Sequence, residues 1–140
     1  MLIEVKDNYF MNTKNISFIK FKENNNLEFT YLEFTYLGSS YLEEVEISDK
    51  VKERLYDFFE HDESFVEIPN NQDTKQYINV GTVTKILIID EDDYVDLKFY
   101  FVNDDNPLNK IMQEKASAVK IINEIKEKIE KLKSEYVDHF

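Results

Sequence analysis

The chain has 140 residues, with eleven Phe, nine Tyr, no Trp, no Cys, two Gly, two Pro and a formal charge of −12. This length and aromatic content suffice for a buried core, which excludes wholesale disorder. The missing cysteines exclude disulfides, thiolate catalysis and cysteine metal sites. A single arginine (Arg54) and an acidic balance in both halves argue against direct nucleic-acid binding, because phosphate contacts supply most of that affinity. With so few Gly and Pro, turns must be built from Asn, Asp and Ser.

In chain order, Leu2–Val5 reads as a short strand, Asp7-Asn8 as a turn and Tyr9–Asn12 as a second strand. Thr13-Lys14-Asn15 bends the chain before Ile16–Phe21. The apolar parity changes between Ile16 and Ile19, which predicts a bend or bulge, since a regular strand alternates faces with period two. Lys22–Asn26 is a polar turn. Leu27-Glu28-Phe29-Thr30-Tyr31 is then followed by the same five residues, Leu32 to Tyr36. Five is odd, so an unbroken strand would present the two copies to opposite faces unless a bulge restored the register. Gly38-Ser39-Ser40 turns the chain into a strand over Tyr41–Ile47. Ser48 is a good N-cap, and Val51, Leu55, Phe58 and Phe59 share one face of a helix.

Glu60-His61-Asp62-Glu63 is the expected junction between two halves, 1–63 and 64–140, which pack together rather than swing on a flexible linker. Phe65–Ile68 opens the second half, and a loop from Pro69 to Asp73 follows. Tyr77–Val80 and Val83–Ile89 form a strand pair bent near Gly81. Ile86 to Ile89 are apolar on both faces, which predicts a central strand. Asp90-Glu91-Asp92-Asp93 turns into a strand with alternating Val95, Leu97, Phe99 and Phe101. Asn106-Pro107 reads as the cap and first residue of a helix of about 28 residues. Its apolar positions Ile111, Ala118, Ile122, Ile125, Ile129, Leu132 and Tyr136 follow heptad spacing, with Glu124/Lys128 and Glu127/Lys131 as flanking ion pairs.

The two halves look alike. Residues 9–21 match residues 76–88 at an offset of 67, pairing Phe10 with Tyr77, Met11 with Ile78, Asn12 with Asn79, Ile16 with Val83, Ile19 with Ile86 and Phe21 with Ile88. Leu2-Ile3-Glu4-Val5 matches Phe65-Val66-Glu67-Ile68. The expected fold is α+β: two related β-rich units of antiparallel strands closed by a helix, the second ending in a long amphipathic helix. Asn12 and Asn79 each precede a bend, where an Asn side chain satisfies turn backbone groups.

Catalytic chemistry finds little support. Read as a calcium loop from Asp90, the chain has Val95 where Gly is needed and Phe101 where Glu is needed, so the run is a solvated turn and no metal is expected. His61 and His139 have no Cys, second His or Gly-flanked Ser beside them, and neither glycine lies in a phosphate-cradling loop. No cofactor follows from any motif.

The expected role is a non-catalytic acidic protein-binding module that engages a basic protein surface, such as that of a nucleic-acid-binding protein. A phage or mobile-element inhibitor of a host defence factor fits the size and charge. The candidate partner-binding residues are Glu43, Glu44 and Glu46 together with Asp90, Glu91, Asp92 and Asp93. The first alternative is an assembly protein, a homodimer for example, that self-associates through Ile122, Ile125, Ile129 and Leu132. The second is a small-ligand binder with a pocket between the halves. The N-terminal residues lack a signal-peptide pattern and no apolar run approaches about 18 residues, so a cytosolic protein that does not cross a membrane is expected.

Overall fold

The computed structural model describes residues 1–33, 39–69, 75–102 and 111–138. Alternating Ile3 and Val5 put their side chains into a core from strand β1 (Leu2–Lys6). Asn8 takes φ 62°, a left-handed conformation that Asn tolerates, and turns the chain into β2 (Tyr9–Asn12). The Asn12 side chain then accepts a hydrogen bond from the Lys14 amide at 3.2 Å, capping a 3-10 turn over Thr13–Asn15. That turn and a register shift between Ile16 and Phe18 account for the parity change read in the sequence. β3 (Ile16–Phe21) pairs with β4 (Asn26–Glu33), which pairs with β5 (Ser39–Glu46). The β4–β5 register runs unbroken from Asn26↔Glu46 to Glu33↔Ser39, so no bulge separates the two pentapeptides as far as Glu33. Phe34 to Gly38, the rest of the second pentapeptide and the start of its turn, lie outside the described residues.

Ser48 accepts from the Val51 amide at 3.2 Å and starts α1 (Asp49–His61), whose Leu55 and Phe59 are buried and whose Val51 and Phe58 are partly so. The second half repeats the first. β6 (Phe65–Glu67) and β7 (Gln76–Asn79) form a hairpin pair, and Asn79 caps a second 3-10 turn over Val80–Thr82. β8 (Val83–Asp90) and β9 (Val95–Phe101) follow, then β10 (Ile111–Gln113) and the long α2 (Lys115–Asp138).

The match between halves extends to backbone detail. Leu2↔Asn12, Ile3↔Met11 and Glu4↔Phe10 in the first hairpin correspond to Phe65↔Asn79, Val66↔Ile78 and Glu67↔Tyr77 in the second. The two capping asparagines have φ/ψ of −89°/109° and −89°/107°. The register shift between Ile16 and Phe18 recurs between Val83 and Lys85. Among the described residues the fold is therefore α+β, with antiparallel sheets and two α-helices, the last of them long. The loop at 70–74 and the Asn106-Pro107 cap fall outside the described residues.

One strand edge joins the halves. β7 pairs with β3 through Phe18↔Ile78, Ile19↔Tyr77 and Lys20↔Gln76, and the Phe21 amide bonds the Lys75 carbonyl at 2.9 Å. The second hairpin thus extends the first unit's sheet to the order β5-β4-β3-β7-β6. It also fills the first unit's core: Phe65 and Tyr77 are buried with Ile19, Phe21, Leu27, Phe29, Leu55 and Phe59. Phe59 meets Phe65 edge-to-face at 4.7 Å and Tyr77 at a tilt at 5.3 Å between centroids. A second core gathers Val66, Ile68, Ile78, Leu97, Phe99, Ala118, Ile121 and Ile125.

Two expectations need correction. The final helix begins at Lys115, and Ile111 lies in β10 opposite Leu97. The heptad pattern has Glu114 and Lys115 where an apolar residue should sit between Ile111 and Ala118, so its first step carries no helical face. Gln113 instead bonds the Pro69 carbonyl and accepts from Ser117, holding the strand-to-helix corner. The second correction concerns Ile86 to Ile89. Among the described residues β8 is an edge strand, paired only with β9, and its Leu87 and Ile88 are exposed.

Candidate functional site

Strand alternation divides the acidic residues of β5 between two faces. Val45 and Ile47 point into the first core, and Glu43 shares their side, where the Tyr9 hydroxyl donates to its carboxylate. Glu44 and Glu46 lie on the opposite, outward side with Leu42. Leu42 is 66% exposed, a large apolar side chain next to Glu44 along the outward row and opposite Thr30. Glu28 on β4 stands directly opposite Glu44. Lys22 bridges the pair, at 2.7 Å from Glu28 and 3.5 Å from Glu44. The Glu28 hydrogen bond, followed by the charges of Glu28 and Glu44, holds the Lys22 ammonium above its usual range against the smaller effect of desolvation. The structure therefore groups Glu28, Glu44 and Glu46 and sets Glu43 aside as a structural partner of the first hairpin. Sequence reasoning missed Glu28, whose only signal is that it precedes a buried Phe29 on an alternating strand.

The run Asp90-Glu91-Asp92-Asp93 closes the β8–β9 hairpin, with the Glu91 amide bonded to the Tyr94 carbonyl at 3.0 Å. Asp92 and Asp93 are exposed, and Asp90 lies 3.3 Å from Lys115 at the start of α2. Among the described residues no three His, Asp or Glu side chains converge to hold a metal ion. The turn belongs to the three-stranded sheet and the acidic face to the five-stranded one, so the two candidate acidic groups are carried by separate sheets.

The helical stripe is engaged within the chain. Ile125 is buried in the second core, and Ile122, Ile129 and Leu132 pack against that core partly buried. Ion pairs flank it. Lys128 does pair with Glu124 at 3.8 Å and also reaches the Phe65 carbonyl, while Lys131 reaches Glu63 at 2.8 Å. These contacts tie α2 to the junction between the halves. The Lys131 hydrogen bond holds the Glu63 carboxyl below the usual carboxylate range. Lys75 does the same for Glu60, at the other side of the junction.

A cleft of about 350 Å³ lies between the halves, lined by Met1, Thr13 and Lys14 from one and by Phe65, Asn79 and Thr82 among others from the second. Several of its polar groups are already engaged. Asn79 Oδ1 accepts from Gly81 N–H at 2.9 Å and its Nδ2 donates to the Ile16 carbonyl at 2.8 Å. The Thr82 hydroxyl donates to the Asn79 carbonyl, and that of Thr13 to Met1. A ligand pocket ordinarily presents a few convergent polar groups, and this cleft spends those named here on its own turns. His61 is exposed and donates from Nδ1 to the Asp57 carbonyl at 2.8 Å; that bond and the Asp57 carboxylate raise its pKa.

Comparisons with protein-family models, with curated proteins and with solved structures found no match to this chain. Among the described residues, no helix is long and apolar enough to cross a membrane.

Proposed function

We propose that this protein is a non-catalytic binding module that engages a basic protein surface through the outward face of β4 and β5. The observation that carries this reading is the exposed Leu42 at the head of an outward row that continues through Glu44 and Glu46, with Glu28 opposite Glu44. An exposed apolar contact residue bordered on one side by charged groups fits the apolar and polar parts of a protein interface. The net charge of −12 adds long-range attraction toward a basic partner and repels nucleic acid. Proteins that bind nucleic acid present such basic surfaces, so occluding one is the role that fits, as in a cytosolic inhibitor from a phage or mobile element. The β8–β9 turn adds to the overall field from a separate sheet.

The test is a double charge reversal, Glu44→Lys with Glu46→Lys. Both side chains are exposed, so stability should fall by no more than about 1 kcal/mol, the worth of the surface Lys22–Glu44 pair that the change removes. Binding to a panel of basic nucleic-acid-binding domains should be strong for the native chain at low salt, fall steeply as salt rises, and weaken at least about tenfold in the variant. Equal binding by both proteins at low salt would remove this face from the interface.

A further inference from the structure

Among the described residues the joint between the two halves is used once, although each half carries both of its parts. In the first unit the outer edge of β3 receives β7, and the second hairpin delivers Phe65 and Tyr77 into the core. The equivalent edge in the second unit is β8, and the equivalent hairpin is β1–β2, with Leu2 and Phe10 in the places of Phe65 and Tyr77. Among the described residues β8 has no strand on that edge, and β2 pairs only with β1.

Burial shows what the missing joint leaves behind. Tyr77 is 1% exposed and Phe10 is 57% exposed. Phe65 is 2% exposed and Leu2 is 66%. On the receiving strand Phe21 is 1% exposed and its counterpart Ile88 is 56%. Asn79 is buried and bonded across the joint to the Ile16 carbonyl, while Asn12 is exposed. The exposed apolar residues are thus the counterparts of those that make the existing joint. The apolar run of β8, which reads as a central strand, sits at an open edge, the arrangement that templates pairing with another chain.

We infer that a second copy of this chain supplies the missing hairpin. The β1–β2 hairpin of one copy adds to the β8 edge of the next and completes a five-stranded sheet, β10-β9-β8-β2-β1, like the one already present. By correspondence with Phe18↔Ile78, Ile19↔Tyr77 and Lys20↔Gln76, the register is Lys85↔Met11, Ile86↔Phe10 and Leu87↔Tyr9. Leu2 and Phe10 of one copy then cover Ile88 of the other. The contact is head-to-tail, so it closes into a ring or continues as a filament, and the measured mass tells which. It leaves the outward face of β5 open, so its failure and that of the binding role are separate results.

The test is light scattering coupled to size exclusion over a range of concentrations, with Phe10→Asp and Ile88→Asp as variants. The native chain should run at a multiple of 16.8 kDa. Each variant alone should fall to 16.8 kDa with an unchanged circular dichroism spectrum, since both side chains are exposed in the single chain. Mixed together, the two variants should associate again, because one keeps its hairpin and the other keeps its edge. A native chain that stays at 16.8 kDa throughout, variants that keep the native mass, or a mixture that stays monomeric would each overturn the inference.

Discussion

Tyr77→Ala is expected to cost about 3–5 kcal/mol of stability, while Phe10→Ala, at the matching position of the other hairpin, costs under about 0.5 kcal/mol in the single chain. The difference comes from surroundings rather than residue type. Tyr77 packs within 5.3 Å of Phe59 and 6.3 Å of Phe21, centroid to centroid, and holds the joint between β7 and β3. Its burial, followed by the nearby Glu67 and Glu60 carboxylates, raises its phenol pKa well above the usual value. Truncation opens a cavity where both units meet, so the whole chain loses stability. Phe10 faces solvent, and its truncation removes few contacts. Urea unfolding at concentrations low enough to keep the chain monomeric measures both. Equal losses for the two variants would mean that both hairpins are docked within one chain.

Ile125→Asp combined with Ile129→Asp is expected to abolish the cooperative melt. Ile125 is buried with Leu97, Phe99 and Ile121, and Ile129 packs against the same cluster. An unpaired carboxylate placed there costs several kcal/mol, comparable to the whole stability of an ordinary domain. Circular dichroism on heating reads the result. A variant that kept its strand signal and melting transition while losing mass would instead place the stripe between chains.

Much of the fold was legible because the residues that set it act locally. Asn12 and Asn79 each precede a bend, and each caps a 3-10 turn with its own side chain. Ser48 starts α1 and the alternating Val95, Leu97, Phe99 and Phe101 line a core, as their patterns require. The failures involve long-range pairing. Ile111 continues a heptad by spacing alone, but β9 offers it a strand partner at Leu97. Ile86 to Ile89 carry the pattern of a central strand, and no sequence pattern states whether the second neighbour comes from the same chain. In the sequence the acidic candidates are Glu43, Glu44 and Glu46 with the run Asp90 to Asp93. Strand alternation turns Glu43 inward to Tyr9, and pairing brings Glu28 from another strand beside Glu44. The sequence spacing between Glu28 and Glu44 gave no sign of that pairing.

Engineered cysteines report the unfilled joint most directly, because the native chain has none. Tyr9→Cys and Leu87→Cys, introduced together, stand opposite each other in the register carried over from Lys20↔Gln76. Directly opposed residues of antiparallel strands lie about 4.5–5.5 Å apart at Cα, within reach of a disulfide. Mild oxidation followed by a non-reducing gel should show covalent multimers that a reductant returns to single chains. A disulfide closed within one chain, or free thiols after oxidation, would contradict the head-to-tail joint.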